Sequence, residues 1–209
     1  MTLIMTPNQF IAQLSEGAVM GNTHTGIPAS VSLAQAALES RWGNSAIARK
    51  AKNLFGIKAD RGWTGAIMAM RTGEYLKGQY VMVPAKWRAY PSWEGSFVDH
   101  ADFLYNNIRY QRALAVADNA QAFALMLQTC GYSTDPKYAV KLLNIINGHS
   151  LQRFDVPKEE WQLYDWAAAK YERAFAIYAP KTQPTAETGD GSSSNPSLAG
   201  SSDSPSGTA

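Results

Sequence analysis

Ala29-Ser30-Val31-Ser32-Leu33-Ala34-Gln35-Ala36-Ala37-Leu38-Glu39-Ser40-Arg41-Trp42-Gly43 is Ala-rich, follows Pro28 and closes on a glycine. Each feature belongs to one helix. Proline suits a first turn because its missing N–H has no helical partner there. Alanine is the strongest helix former, and Gly43 is expected as a left-handed cap. Ala29 to Trp42 is therefore predicted to be helical. Leu33, Ala34, Ala37 and Leu38 share one side. Ser32, Gln35, Ala36, Glu39, Trp42 and Gly43 fall on the other. Glu39 is the only acid between Glu16 and Asp60. A carboxyl beside a Trp and small apolar groups loses water, which disfavours its charged form and raises its pKa. A general acid needs that property. Helical spacing alone favours a solvated surface Glu, because such residues are common on helices.

Upstream, the spacing predicts a helix around Asn8 to Gln13, then a polar Gly/Asn/Thr loop. Between Asn53 and Tyr90 the helical spacing disappears. Arg71 to Leu76 and Gln79 to Val83 read as the arms of a β-hairpin turning at Lys77-Gly78, with Pro84 ending the second arm. Helical spacing returns at Phe97, His100, Ala101, Leu104 and Ile108, in a helix beginning near Ser96. Further helices are expected over Ala120 to Leu127, from Pro136 to near Gly148, and from about Pro157 to Tyr178, where Pro180 stops the last. The fold class read from this is mainly α (α+β): a helical body with a small β-lobe inserted after the second helix.

The chain's 209 residues, 45% of them apolar, suffice for one well-buried domain. That domain is assigned to residues 1–180. Residues 181–209 contain no aromatic and are rich in Ser, Gly, Pro and Thr, so they are expected to be disordered. The tail's −2 leaves +4 on residues 1–180 of the overall +2. A mildly basic body suits an anionic polymer, and the absence of a Lys/Arg stripe argues against nucleic acid. Cys130 is the only cysteine, so no intramolecular disulfide forms. No apolar stretch approaches a membrane span, and Met1 to Ile27 lacks the pattern of a Sec-type leader. Six Trp and ten Tyr exceed what a core needs and hint at a ligand with flat apolar faces.

Five segments, in order, resemble a known family. Ala36 to Gly43 is similar to the helix end of the peptidoglycan β-N-acetylglucosaminidases related to flagellar rod-assembly hydrolases and bacterial autolysins. Asn53 to Lys58, Thr72 to Tyr75, Trp87 to Tyr90 and Gly131 to Ala139 resemble that family's later motifs. The departures are Arg41, where Gly is common, and Trp87, where Phe is common. The resemblance covers roughly Pro28 to Ile146. It implies a lysozyme-like glycoside hydrolase fold, Glu39 as proton donor and Glu74 as second carboxylate. Substrate contacts are then expected from Trp42, Phe55, Trp63, Trp87, Tyr90, Asp99, Tyr132 and Tyr138, with Trp93 as a further stacking candidate. Asp99, Tyr132 or Tyr138 would orient the substrate's N-acetyl group if that group were the nucleophile. No cofactor is implied, and a monomer is expected.

The implied substrate is the peptidoglycan glycan strand, cut after N-acetylglucosamine. Without a Sec leader, export through a phage-type or machine-dependent route is expected. The setting would be an endolysin or an antibacterial effector with a cognate immunity protein over its cleft. The rivals are a non-catalytic wall-binding module and a lytic transglycosylase or muramidase. A cysteine peptidase needs a His beside Cys130, and a zinc amidase needs clustered ligands. Three scattered His, with no H-E-x-x-H, favour neither.

Overall fold

The computed structural model describes residues 4–76 and 79–178. The expected turn at Lys77-Gly78 and the tail from 181 lie outside them. Helix α1 (Pro7–Thr25) opens with a capping box: the Thr6 side chain accepts from the Gln9 N–H while the Gln9 side chain accepts from the Thr6 N–H. It is far longer than the predicted Asn8 to Gln13 and takes in the stretch read as a loop. Its glycines explain the difference. A Cβ on Gly17 would lie 2.8 Å from Phe97 Cδ2, so the glycine is where another helix packs close. The local helix penalty of glycine is outweighed by that packing.

Helix α2 (Ala29–Ser40) follows and stops two residues earlier than predicted, with Arg41 as its left-handed cap. A short α3 (Ala46–Ala51), which the sequence pattern did not reveal, is capped by Ser45. Strands β1 (Ile67–Leu76) and β2 (Gln79–Arg88) form one antiparallel ribbon. The lobe is as expected, but both arms are longer. Pro84 does not end β2; it pairs with Arg71 within the ribbon. A two-stranded sheet has only edge strands, and an edge tolerates a residue without an N–H.

Helix α4 (Trp93–Asn106) begins at the Ser92 cap, not near Ser96. Ile108 lies beyond it in a short 3-10 turn and is 83% exposed, so the apolar spacing overran the helix by one position. Helices α5 (Gln111–Leu114), α6 (Ala120–Thr129) and α7 (Tyr138–Gly148) follow. The last predicted helix splits into a 3-10 segment (Lys158–Tyr164) and α8 (Asp165–Tyr178).

One buried cluster joins these helices. It includes Phe10 and Met20 of α1, Leu33 of α2, Phe97 and Leu104 of α4, Leu127 of α6, Leu142 of α7 and Tyr171 of α8. Burying a side chain of this size contributes about 1.5–3 kcal/mol. The fold is thus a mainly helical α+β body with a projecting two-stranded lobe, consistent with a lysozyme-like fold.

Candidate active site

Helix α2 is fixed at both ends. Its Pro28 cap offers no side-chain bond. Asp155, distant in sequence, serves instead: its carboxylate accepts from the Ser30 N–H and the Ser30 hydroxyl, both at 2.7 Å. Burial raises the Asp155 pKa, and the bonds from Ser30 oppose the rise. At the other end Arg41, Trp42 and Gly43 are all left-handed, with φ of 53, 57 and 74°. Two non-glycine residues there cost about 1–2 kcal/mol each. The turn recovers bonds in return. The Trp42 N–H donates to Ala37 O (2.8 Å) and the Gly43 N–H to Ser40 Oγ (2.7 Å). The Trp42 ring meets Phe10 and His149 edge-on, at centroid distances of 5.6 and 4.9 Å.

Glu39 sits on the last turn of this helix, partly exposed. Loss of water pushes its pKa from 4.5 up to about 7; a hydrogen bond from Tyr138 and the charge of Lys141 oppose the rise. Gln35, one turn earlier on the same face, is fully buried and donates Nε2–H to Tyr138 Oη at 3.0 Å. That bond occupies the phenol oxygen as an acceptor and leaves its proton for Glu39. Tyr132 stacks on Tyr138, with centroids 5.5 Å apart. The Tyr132 hydroxyl also lies 3.3 Å from His100 Nε2. His100 lies flat on Phe55 at 3.7 Å, and burial drives its pKa to about 3, so it is neutral. Burial also raises both phenol pKa values well above their ordinary range. At neutral pH the cluster therefore holds one readily titrated group, the Glu39 carboxyl.

A second network roots the β-lobe. Arg88 Nη1 donates to both oxygens of Asp99 (2.8 and 3.1 Å), and Nη2 donates to Asp60 at 3.2 Å. Tyr90 Oη donates to Asp99 at 2.6 Å. Burial raises the Asp99 pKa; Arg88 and Tyr90 pull it back. The Arg88 guanidinium lies 4.6 Å from the Trp63 ring centroid. Asn53 completes the root, donating from Nδ2 to Ile57 O and Arg88 O, both at 2.9 Å. The Asn53-to-Lys58 motif thus joins the lobe to the body.

The structure separates the expected site residues into groups. Tyr132 and Tyr138 adjoin Glu39. Phe55 and Trp87 are 2% and 3% exposed. Phe55 packs on His100 and Phe97, and Trp87 is buried where β2 joins the Lys58 segment. Tyr90 and Asp99, 5% and 8% exposed, bond to each other and, through Asp99, to Arg88. Trp42, Trp63 and Trp93 keep partial exposure. Glu74 is placed by its backbone, which pairs with Val81; its side chain lies outside the described residues. Gln35, Lys141 and His100 were not singled out for the site. Gln35 was legible as the residue one turn before Glu39, and Lys141 as the residue one turn after Tyr138. His100 carried no local signal.

Other features carry no chemistry. A shallow concavity between Asn119, Asn147 and Asp155 lies at the opposite end of α2; there Asn119 Oδ1 accepts from the Ala122 N–H, Asn147 Oδ1 from Gln152, and Asp155 from Ser30. Among the described residues no group of three His, Cys, Asp or Glu side chains is placed to hold a metal. No described helix is long and apolar enough to cross a membrane.

A family model described as mannosyl-glycoprotein endo-beta-N-acetylglucosaminidase matches residues 16–151. The peptidoglycan hydrolase FlgJ of Escherichia coli K12 is 43% identical over 141 residues, covering 66% of this chain and 45% of that protein. The exo-glucosaminidase LytG of Bacillus subtilis is 40% identical over 131 residues, 60% of this chain and 45% of the other. This chain thus spans less than half the length of these curated relatives. Among solved structures, the catalytic domain of the Listeria monocytogenes autolysin Auto matches with a TM-score of 0.65 at 32% identity, covering 74% of this chain and 92% of that one. A truncated glycoside hydrolase domain of Salmonella typhimurium FlgJ matches with a TM-score of 0.58 at 39% identity, covering 68% and 95%.

Proposed function

The chain belongs to the glucosaminidase family, and from that premise we propose that it hydrolyses the glycan strand of bacterial peptidoglycan after N-acetylglucosamine. Relatives named as peptidoglycan hydrolase and exo-glucosaminidase support the substrate class. The observation that carries the reading is the state of Glu39: a carboxyl with a pKa near 7, open to solvent on one side and bonded to a buried phenol. Below pH 7 it holds a proton for the glycosidic oxygen. As that proton leaves, the Tyr138 hydroxyl is already bonded to the carboxyl that becomes charged. A bond to an ionised acceptor is about twice as strong as one to a neutral acceptor, so the donor favours the transition state over the ground state.

Glu74 is the second carboxylate, which activates water or stabilises positive charge on the sugar. Of the aromatics, Trp42, Trp63 and Trp93 are the stacking surfaces. Tyr132 and Tyr138 act on substrate through the acid they adjoin. The place of action is the bacterial wall, in an endolysin or an antibacterial effector. In the effector setting an immunity protein covers the Glu39 cleft. Harmless periplasmic expression in a cell lacking any such inhibitor would count against that setting.

The test is digestion of purified peptidoglycan by the wild type and by Glu39→Gln, with borohydride reduction and mass spectrometry. Reducing N-acetylglucosamine ends formed by the wild type alone are the expected result. Reducing N-acetylmuramic acid ends would make it a muramidase, and anhydro ends a transglycosylase. No products from either protein would leave a wall-binding module, and equal products from both would remove Glu39 from the mechanism.

A further inference from the structure

Lys141 lies one turn beyond Tyr138 on α7, on the side of that helix facing the acid. Its positive charge is felt at Glu39. An ammonium free to move would settle against the Glu39 carboxylate, and a directly paired carboxylate releases its proton too early to serve as an acid at neutral pH. Another group holds it. Lys141 Nζ sits 2.6 Å from Asp135 Oδ2. Asp135 is itself fixed in the loop between α6 and α7. Its Oδ1 accepts from the Lys137 N–H at 2.9 Å, and its own N–H donates to Ser133 Oγ at 3.2 Å. Both Asp135 oxygens are thereby engaged, Oδ2 by the ammonium and Oδ1 by the backbone. The partnership with Lys141 lowers the Asp135 pKa, so the pair persists while Glu39 titrates. The other groups facing Glu39 are Gln35 on its own helix, Tyr138 on α7 and Tyr132 from the preceding loop; none of these carries charge near pH 7.

We propose that Asp135 is a positioning residue for the general acid: by holding the Lys141 ammonium to itself, it keeps that cation out of direct pairing with Glu39 and so leaves Glu39 its proton. The proposal rests on the reading of Glu39 as the acid, but its test does not need turnover. The Glu39 carboxyl carbon is titrated by NMR in the free, 13C-labelled protein, its signal assigned by its loss in Glu39→Gln. Asp135→Asn keeps the acceptor for the Lys137 N–H and removes only the counter-charge.

Asp135→Asn is expected to lower the Glu39 midpoint by about half to one pH unit, a size set by the partial exposure of Lys141. Lys141→Met is expected to raise it slightly, and Lys141→Arg to leave it near the wild-type value. The double variant Asp135→Asn/Lys141→Met should titrate like Lys141→Met alone, since Asp135 acts only through the ammonium. A midpoint unchanged or raised by Asp135→Asn would overturn the proposal. So would a fall of equal size in the Lys141→Met background. Digestion assays on the same variants separate the two claims: an inactive wild type with the expected midpoints removes the proposed function and leaves the electrostatics standing.

Discussion

Glu39 occupies an environment that disfavours the anion, and this has opposite consequences for stability and catalysis. Its folded pKa of about 7 exceeds its ordinary value of 4.5, so the folded state binds the proton more tightly than the unfolded chain. Stability from this group is complete below about pH 4.5 and is lost as pH rises through 7. Glu39→Gln removes that loss. The variant should match wild type in urea unfolding at pH 4 and exceed it at pH 8 by about 1–3 kcal/mol, while glycan cleavage falls about 1000-fold or more. Equal stability at both pH values would show that the carboxyl is not desolvated. Tyr138→Phe takes away the donor that lowers the Glu39 pKa, so the alkaline limb of the activity profile should move upward as kcat falls about 10–100-fold. The helical face of Glu39, local in sequence, fitted the role without singling it out; Glu39 was legible because the Ala36 to Gly43 stretch resembles a family motif. The bond between Gln35 and Tyr138 was not, because it joins residues 103 positions apart and no periodicity reports such a pair.

Elements depart from local expectation where another element packs against them. The first helix was read as six residues and spans 19, because the glycines that punctuate it are contact points. Gly17→Ala improves helix propensity, yet its methyl would lie 2.8 Å from the Phe97 ring, so the variant should lose about 1–3 kcal/mol by calorimetry. Gly148, with nothing within 4 Å of a Cβ, is the control, and its Ala variant should be neutral or stabilising. The β-lobe was legible from its residues, but its arms were underestimated because a proline that ends a central strand is tolerated in an edge. The resemblance implies Asp99 as a substrate contact; in the fold its carboxylate accepts from Arg88 and Tyr90 at the root of the lobe. Arg88 is largely buried between Asp99 and Asp60. Asp99→Ala leaves that guanidinium with Asp60 as its one remaining carboxylate among the described residues and should cost about 3 kcal/mol. Hydrogen exchange should then accelerate at the N–H groups of Ala59 and Arg88, which join the lobe root to the body. Unchanged protection there would mean that the ribbon holds without the Arg88 network.

At the scale of the molecule, part of the support for the proposed catalytic helix lies beyond the stretch that matches the family. The family match ends at residue 151, and every proposed catalytic residue lies before it. The acid's helix nevertheless begins on a carboxylate beyond that limit, Asp155, and the neighbouring Val156 N–H donates to buried Asn22 at 2.8 Å. Farther on, α8 buries Ala167 and Tyr171 in the common core. A protein ending at residue 151 would keep the chemistry and lose its support. Removing a helix cap costs about 1–2 kcal/mol and exposing the site of a large aromatic about 2–3. At this chain length each kcal/mol lowers Tm by about 2–4 °C, so the truncated protein should melt about 10 °C lower and cleave peptidoglycan poorly at 37 °C. A protein ending at residue 180 keeps Asp155, Val156 and α8, and it should match the full chain in both Tm and activity. Equal Tm for all three would show that the stretch after residue 151 adds nothing to the acid's helix. A deficit in the 180-residue protein would place a working part in the Ser/Gly/Pro-rich tail.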